Sequence, residues 1–210
     1  MIIFKNAAKT YGSRTIIRIP DLQLPSGIYW VKGRNGSGKT TLLRMLSGLI
    51  PFSGEILSNG ISLQSHPQDY RRKTGWAEAE PQYPGFLSGR ELLNFYTYVF
   101  RDSKDRVEKL KENFGIGEYY STLMGSWSDG MIKRLSLLLA FIGTPQLILL
   151  DEPLATLDAE GQEFFPAFLA EYFAIHPCTI LFSSHQPIST ILLPEIKTMA
   201  IEESNLSLAS

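Results

Sequence analysis

Apolar positions along this chain follow two rhythms, one of strand length and one of helix period. Ile2-Ile3-Phe4 and Thr15 to Ile19 are short β-branched runs. After the turn Pro25-Ser26-Gly27, Ile28-Tyr29-Trp30-Val31 reads as a buried strand running into Gly33. From Lys39 onward, Leu42, Leu43, Leu46 and Leu49 recur three or four residues apart, which predicts an amphipathic helix over 39–49 closed by Pro51. Leu147 to Leu150 and Thr179 to Phe182 are short apolar runs without alternation, the pattern of central parallel strands covered on both faces. Between Pro81 and Gly125 the period becomes helical, over Glu91 to Phe100 and Lys104 to Phe114, and predicts an inserted helical sub-domain near residues 80–130. Within Phe95-Tyr96-Thr97-Tyr98-Val99-Phe100, positions 92, 95, 96 and 99 share one face, read as core packing in preference to a docking surface. Strand and helix alternate, so the expected class is α/β with a parallel-sheet core and a small antiparallel β part at the N-terminus.

The 210 residues suit a single domain over 1–210 with a sub-domain. With 44% hydrophobic and 20% charged residues, the composition excludes a disordered or collagen-like chain. Twenty basic residues against 21 acidic ones leave a net charge of −1, no field that gathers nucleic acid, and none is expected as a partner. The lone Cys178 cannot form an internal disulfide, and Met1-Ile-Ile-Phe-Lys5 lacks the basic-then-apolar start of an export signal, so a cytoplasmic location is expected. The longest near-continuous apolar run, Leu135 to Gly143, is shorter than the ~20 residues needed to cross a bilayer. Work at a membrane would therefore depend on another chain.

Gly33-Arg34-Asn35-Gly36-Ser37-Gly38-Lys39-Thr40 places glycines, a lysine and a hydroxyl at the spacing of a phosphate-binding loop between strand and helix. Its glycines let backbone N–H groups turn inward, the helix start adds the positive end of its dipole, and Lys39 can reach β- and γ-phosphates. Thr40, followed by Thr41, can hold Mg²⁺ through its hydroxyl. Asp151 and Glu152 end the strand Leu147 to Leu150, where ligands of parallel sheets bind. An acid pair there suits Asp151 to Mg²⁺ and Glu152 to the water that attacks the γ-phosphorus. His185 follows the second apolar strand and could donate to the γ-phosphate or hold the water, a setting that His66 and His176 lack.

In this order the motifs resemble the ATP-binding subunits of ABC transporters across essentially the whole chain. Gly33 to Thr40 is similar to the Walker A loop, and Leu147 to Glu152 to Walker B with its catalytic Glu. Ala155-Thr156-Leu157-Asp158 looks like the D-loop and His185 like the switch histidine. Tyr11 sits where the family's aromatic stacks on adenine, and Trp127-Ser128-Asp129-Gly130-Met131 occupies the position of its signature sequence. Ser128 is also, by its own chemistry, a good N-cap for the apolar helix that follows. The resemblance implies a P-loop NTPase fold that uses ATP and Mg²⁺. It implies Gly33 to Thr41, Tyr11, Ser128, Gly130 and Asp158 at the nucleotide, Thr40 and Asp151 at the metal, and Glu152 and His185 in catalysis. A second ABC ATPase subunit, identical or different, would face this one head to tail, each signature closing over the other's γ-phosphate.

Two departures stand out. The family usually reads Leu-Ser-Gly-Gly-Gln at the signature, whereas here Trp127 replaces the Leu and Asp129 the first Gly. A carboxylate in a first helical turn suits an empty N-terminus but repels a phosphate approaching the same N–H groups, so the composite site is expected to close weakly. In Gly75-Trp76-Ala77-Glu78-Ala79-Glu80-Pro81-Gln82, Ala79 falls at the Q-loop glutamine, and Glu78, Glu80 and Gln82 all stand as substitutes. The end of the chain soon after His185 is read as leaving no room for a span or regulatory domain, so the expected role is the energy-coupling subunit of a transporter with separate transmembrane permease chains, at the cytoplasmic face of the membrane. The alternative is a soluble ABC-type ATPase driving assembly or repair of a complex. A small-molecule P-loop kinase explains neither Ser128 nor His185.

Overall fold

The structure, a computed structural model, describes residues 1–185 and 196–208. Eleven strands among these residues form one mixed sheet. Its antiparallel part is N-terminal: β1 (Ile2–Tyr11) pairs with β2 (Arg14–Ile19), β3 (Leu22–Leu24) and β5 (Ser53–Ser58), and β5 with β6 (Ile61–Ser62). The parallel part runs through β4 (Gly27–Lys32), β9 (Thr179–Ser183), β8 (Leu147–Leu150) and β7 (Thr74–Ala77) in that spatial order. The C-terminal hairpin β10 (Lys197–Glu202) and β11 (Asn205–Leu208) joins the two, β10 lying parallel to β4 and β11 parallel to β2.

Alternate residues of the central strands feed two cores. Tyr29, Val31, Leu147, Leu149 and Leu181 pack with Leu42, Leu43 and Leu46 of α1 (Lys39–Leu46), on the same side as β1 and β2. Ile28, Ile148, Leu150, Ile180 and Phe182 pack on the other side with α5 (Asp129–Leu139) and α6 (Ala159–Ile175). Both faces of β8 and β9 are therefore dry, which is why their sequences show no alternation. α2 (Pro67–Arg72) precedes β7, and α3 (Gly89–Phe100) and α4 (Lys104–Asn113) extend from the second core. No helix among the described residues is long and apolar enough to cross a membrane.

Two local expectations are corrected. α1 stops at Leu46, not Leu49: Gly48 takes a left-handed φ of 72°, ending the helix ahead of Pro51 and leaving Leu49 exposed. The aromatic segment of α3 does not bury positions 92, 95, 96 and 99 together, since Phe95 and Val99 are exposed. The inward stripe is Gly89, Leu93, Tyr96 and Phe100, with Leu92 beside it. Rotation of α3 is set at its start, where the Ser88–Glu91 capping box fixes the first turn and Gly89 lies under the Trp127 ring. A Cβ at Gly89 would come within 2.4 Å of that ring.

Candidate functional site

The strand-to-helix turn after β4 is built for close backbone approach. Gly36 and Gly38 adopt φ of 74° and 108°, and a Cβ at Gly33 would meet Ser37 Oγ at 2.3 Å. Lys39, buried at the first position of α1, donates from Nζ to the carbonyl oxygens of Gly33 (2.9 Å) and Arg34 (3.3 Å). An ammonium group is thus folded over the loop. Around it opens a cavity of about 390 Å³ lined by Asn35 to Thr41, by Tyr11, Arg14 and Ile16 of the antiparallel part, and by Glu152 and His185 from the ends of β8 and β9. Segments far apart in sequence meet here because β4, β9 and β8 are parallel neighbours whose carboxyl ends share one edge. Tyr11 is half exposed at the rim, with Lys9 Nζ 4.5 Å from its ring centroid.

The acid pair is held by β9. Buried Ser183 donates from Oγ to Asp151 Oδ1 (2.6 Å) and accepts from the Glu152 N–H (2.9 Å). Glu152 has a left-handed φ of 45°, a strained conformation for a side chain with a Cβ, costing on the order of 1–3 kcal/mol, which these contacts maintain. His185 donates its backbone N–H to Glu152 Oε2 at 3.1 Å, and its Nε2 lies 3.3 Å from Glu152 Oε1. Ser37 Oγ is buried with no hydrogen-bond partner among the described residues, and buried Glu152 Oε1 makes no hydrogen bond there beyond its ion-pair contact with His185 Nε2. Unfilled donor and acceptor capacity at the loop and at the acid is what a phosphate and a water or metal ligand would satisfy, so the residues present fit a bound nucleotide.

Thr40 also lines a second cavity, of about 570 Å³, with Asp151, Arg44, Trp76, Tyr96 and the segment Glu78 to Tyr83. The three candidates Glu78, Glu80 and Gln82 all border it, and Glu78 accepts a hydrogen bond from Trp76 Nε1 at 3.2 Å. Lys133 of α5, on which sequence reasoning placed no role, reaches this region from below and donates to the backbone oxygens of Glu78, Ala79 and Asp151. Burial pushes its pKa down to about 8, against the pull of Asp151, Glu152 and Glu78. Position 133 lies on the inward stripe of α5 with Ser136 and Leu137, a sequence signal that a lysine there has buried work.

Ser128, Gly130 and Asp158 are not brought to the loop cavity. They line a separate one of about 770 Å³, with Glu118, Asp129, Arg134, Thr156 and Glu160. Ser128 caps α5 by accepting from the Met131 N–H at 3.3 Å, with Asp129 as the first helical residue. Asp158 caps α6, accepting from the Gly161 N–H (2.9 Å) and from Arg134 Nη2 (2.6 Å), and these bonds hold its carboxyl below the usual range. A Cβ at Gly130 would come 3.0 Å from the Thr156 oxygen, so these two turns touch. Trp127 is buried, edge-on to Tyr119 at 4.8 Å, and donates from Nε1 to Thr122 Oγ1 at 2.8 Å.

The family model described as ABC transporter matches residues 21–155. A bacitracin transport ATP-binding protein of Enterococcus faecalis is 31% identical, over 97% of this chain and 68% of its own length. A lantibiotic transport ATP-binding protein of Streptococcus pyogenes is 30% identical, over 95% and 84%. Among solved structures, an ATP-binding subunit of an ABC transporter superposes with a TM-score of 0.88 at 22% identity, covering all of this chain and 89% of that one. The ATP-binding cassette MJ0796, in a dimeric post-hydrolysis state bound to ADP and Pi, gives 0.84 at 19%, covering 99% and 97%. At these identities the two structures establish the α/β fold.

Proposed function

Because this chain belongs to the ABC transporter family, we propose that the cavity between Tyr11, Lys39 and Glu152 is where it turns over nucleotide. The protein is the ATP-binding, ATP-hydrolysing subunit of an ABC transporter. The observation that carries the assignment of the site is the convergence of a buried ammonium, left-handed glycines and an acid–histidine pair on one cavity.

In this reading Tyr11 stacks on adenine and the amides of residues 36–41 face the phosphates. Lys39, now bonded to its own loop, exchanges those carbonyl acceptors for β- and γ-phosphate oxygens. Thr40 and Asp151 are the side chains that would hold Mg²⁺, which supplies positive charge to the phosphate oxygens when bound. Glu152 orients the water and accepts its proton, and His185, whose Nε2 contacts Glu152 Oε1, steadies the γ-phosphate. ADP and phosphate are the products.

Ser128, Gly130 and Asp158 lie on another surface. They act on nucleotide only if a second ABC ATPase subunit, identical or different, presents them to the loop cavity of the first. The permeases are separate chains, and this subunit works at the cytoplasmic face of the membrane beside them. Asp129 weakens closure of the site that uses this signature. Phosphate release from ATP with Mg²⁺ and no added acceptor tests the ATPase assignment and excludes a kinase. Co-purification with a multi-spanning membrane protein tests the transporter setting, and recovery with a soluble complex instead would favour the assembly or repair alternative.

A further inference from the structure

Lys133 is completely buried, and its ammonium group makes three hydrogen bonds, to Glu78 O (2.6 Å), Ala79 O (3.1 Å) and Asp151 O (3.0 Å). Three protons meet three carbonyls, so its donor capacity is full. A buried cation is ordinarily paired with a carboxylate. Here every acceptor is main chain, drawn from two segments that border one cavity: the stretch after β7 and the acid end of β8. A methionine would fill the same space without the cost of desolvating an ammonium group, so packing alone gives no reason for a lysine. The three bonds do something an apolar side chain cannot, which is to fix two backbone segments and one helix relative to a single nitrogen. Rotation of α5, or withdrawal of the 78–79 segment, strands a donor of the fully buried ammonium group.

We propose that Lys133 is a positioning residue for the ATPase reaction, a strut that makes α5, residues 78–79 and the Asp151–Glu152 turn one rigid unit. The proposal rests on the reading that Asp151 and Glu152 work on nucleotide. Ser128 caps α5 little more than one helical turn from Lys133, so a force on the capped end of the helix reaches the acid pair and the segment Glu78 to Gln82 through the same three bonds.

The test compares the full chain with Lys133→Met, which keeps the length and removes all three donors, and Lys133→Gln, which restores up to two. In Lys133→Met, amide exchange over residues 78–82 is expected to accelerate about tenfold or more while the amides within α5 keep their wild-type protection. The kcat is expected to fall about 10- to 100-fold with the Kd for ATP changed less than about threefold, and Lys133→Gln recovers part of both effects. Wild-type exchange at 78–82 in the Met variant, or a kcat lowered only in proportion to the folded fraction, would overturn the strut. Should Lys133→Met fail to fold, faster exchange at 78–82 in Lys133→Gln supports the proposal and unchanged exchange there overturns it. Exchange is measured without nucleotide, so a wild-type chain lacking ATPase activity would refute the site reading separately.

Discussion

Two cavities of this chain, one at the phosphate loop and one at Ser128, are built on opposite electrostatic terms. The loop cavity gathers Lys39, Arg14 and the turn of Gly36 and Gly38 around one carboxylate, Glu152; Lys39 is braced by two carbonyls and Glu152 by Ser183, which also holds Asp151. The Ser128 surface gathers Glu118, Asp129, Asp158 and Glu160 around Arg134, which is already paired with Asp158. One surface attracts an anion; the other stabilises its own helix start with a carboxylate and so resists one. If both surfaces act on nucleotide as proposed, one chain would hold a strong half-site and a weak one, with the first-turn carboxylate of Asp129 setting the balance.

Four changes would break or sharpen that contrast. The largest is in the loop cavity: Glu152→Gln should lower kcat about 10²- to 10⁴-fold with ATP binding retained, in single-turnover and binding assays. Near the second surface, Trp127→Leu removes the Nε1–Thr122 bond and the ring lying over Gly89, and is expected to cost about 2–4 kcal/mol in denaturant unfolding. Asp129→Gly removes the repulsive carboxylate, and the ATPase rate should rise about two- to fivefold, the range a first-turn charge is worth. In the Glu152→Gln background the same change should move the light-scattering mass with MgATP from monomer towards dimer; a rate no higher than wild type would remove Asp129 as the cause of weak closure. In Ser128→Ala, loss of the bond from the Met131 N–H should lower stability by about 1 kcal/mol and Tm by about 2–4 °C.

What the sequence made legible follows from where the physics is local. The phosphate loop is written in residue types that no other conformation needs, and the apolar runs of β8 and β9 admit few readings other than buried strands. Where the deciding contact is distant, the sequence is silent. Periodicity offers α3 two adjacent faces, and only the meeting of Gly89 with Trp127 selects the one with Leu93 and Phe100 over the one with Phe95 and Val99. The stretch of α6, with Phe164, Phe165, Phe168 and Tyr172 and an internal Pro166, is apolar on too many sides to show a stripe and is not recognised as a helix in advance. The hairpin of β10 and β11 is too short and mixed to stand out. Lys133 is invisible for a different reason: a lysine is read as solvated unless its place on the buried stripe of α5 is weighed above its charge.

The claim beneath all of this is that one buried ammonium and a ring of amides accept the charge of a triphosphate. Calorimetric titration of the chain with ATP in the presence of Mg²⁺ tests it most directly. Saturable heat at one nucleotide per chain, with affinity reduced about 10- to 100-fold in Lys39→Ala, is the predicted result. A wild-type chain that takes up no nucleotide, or a Lys39→Ala chain that binds it equally well, would contradict the account.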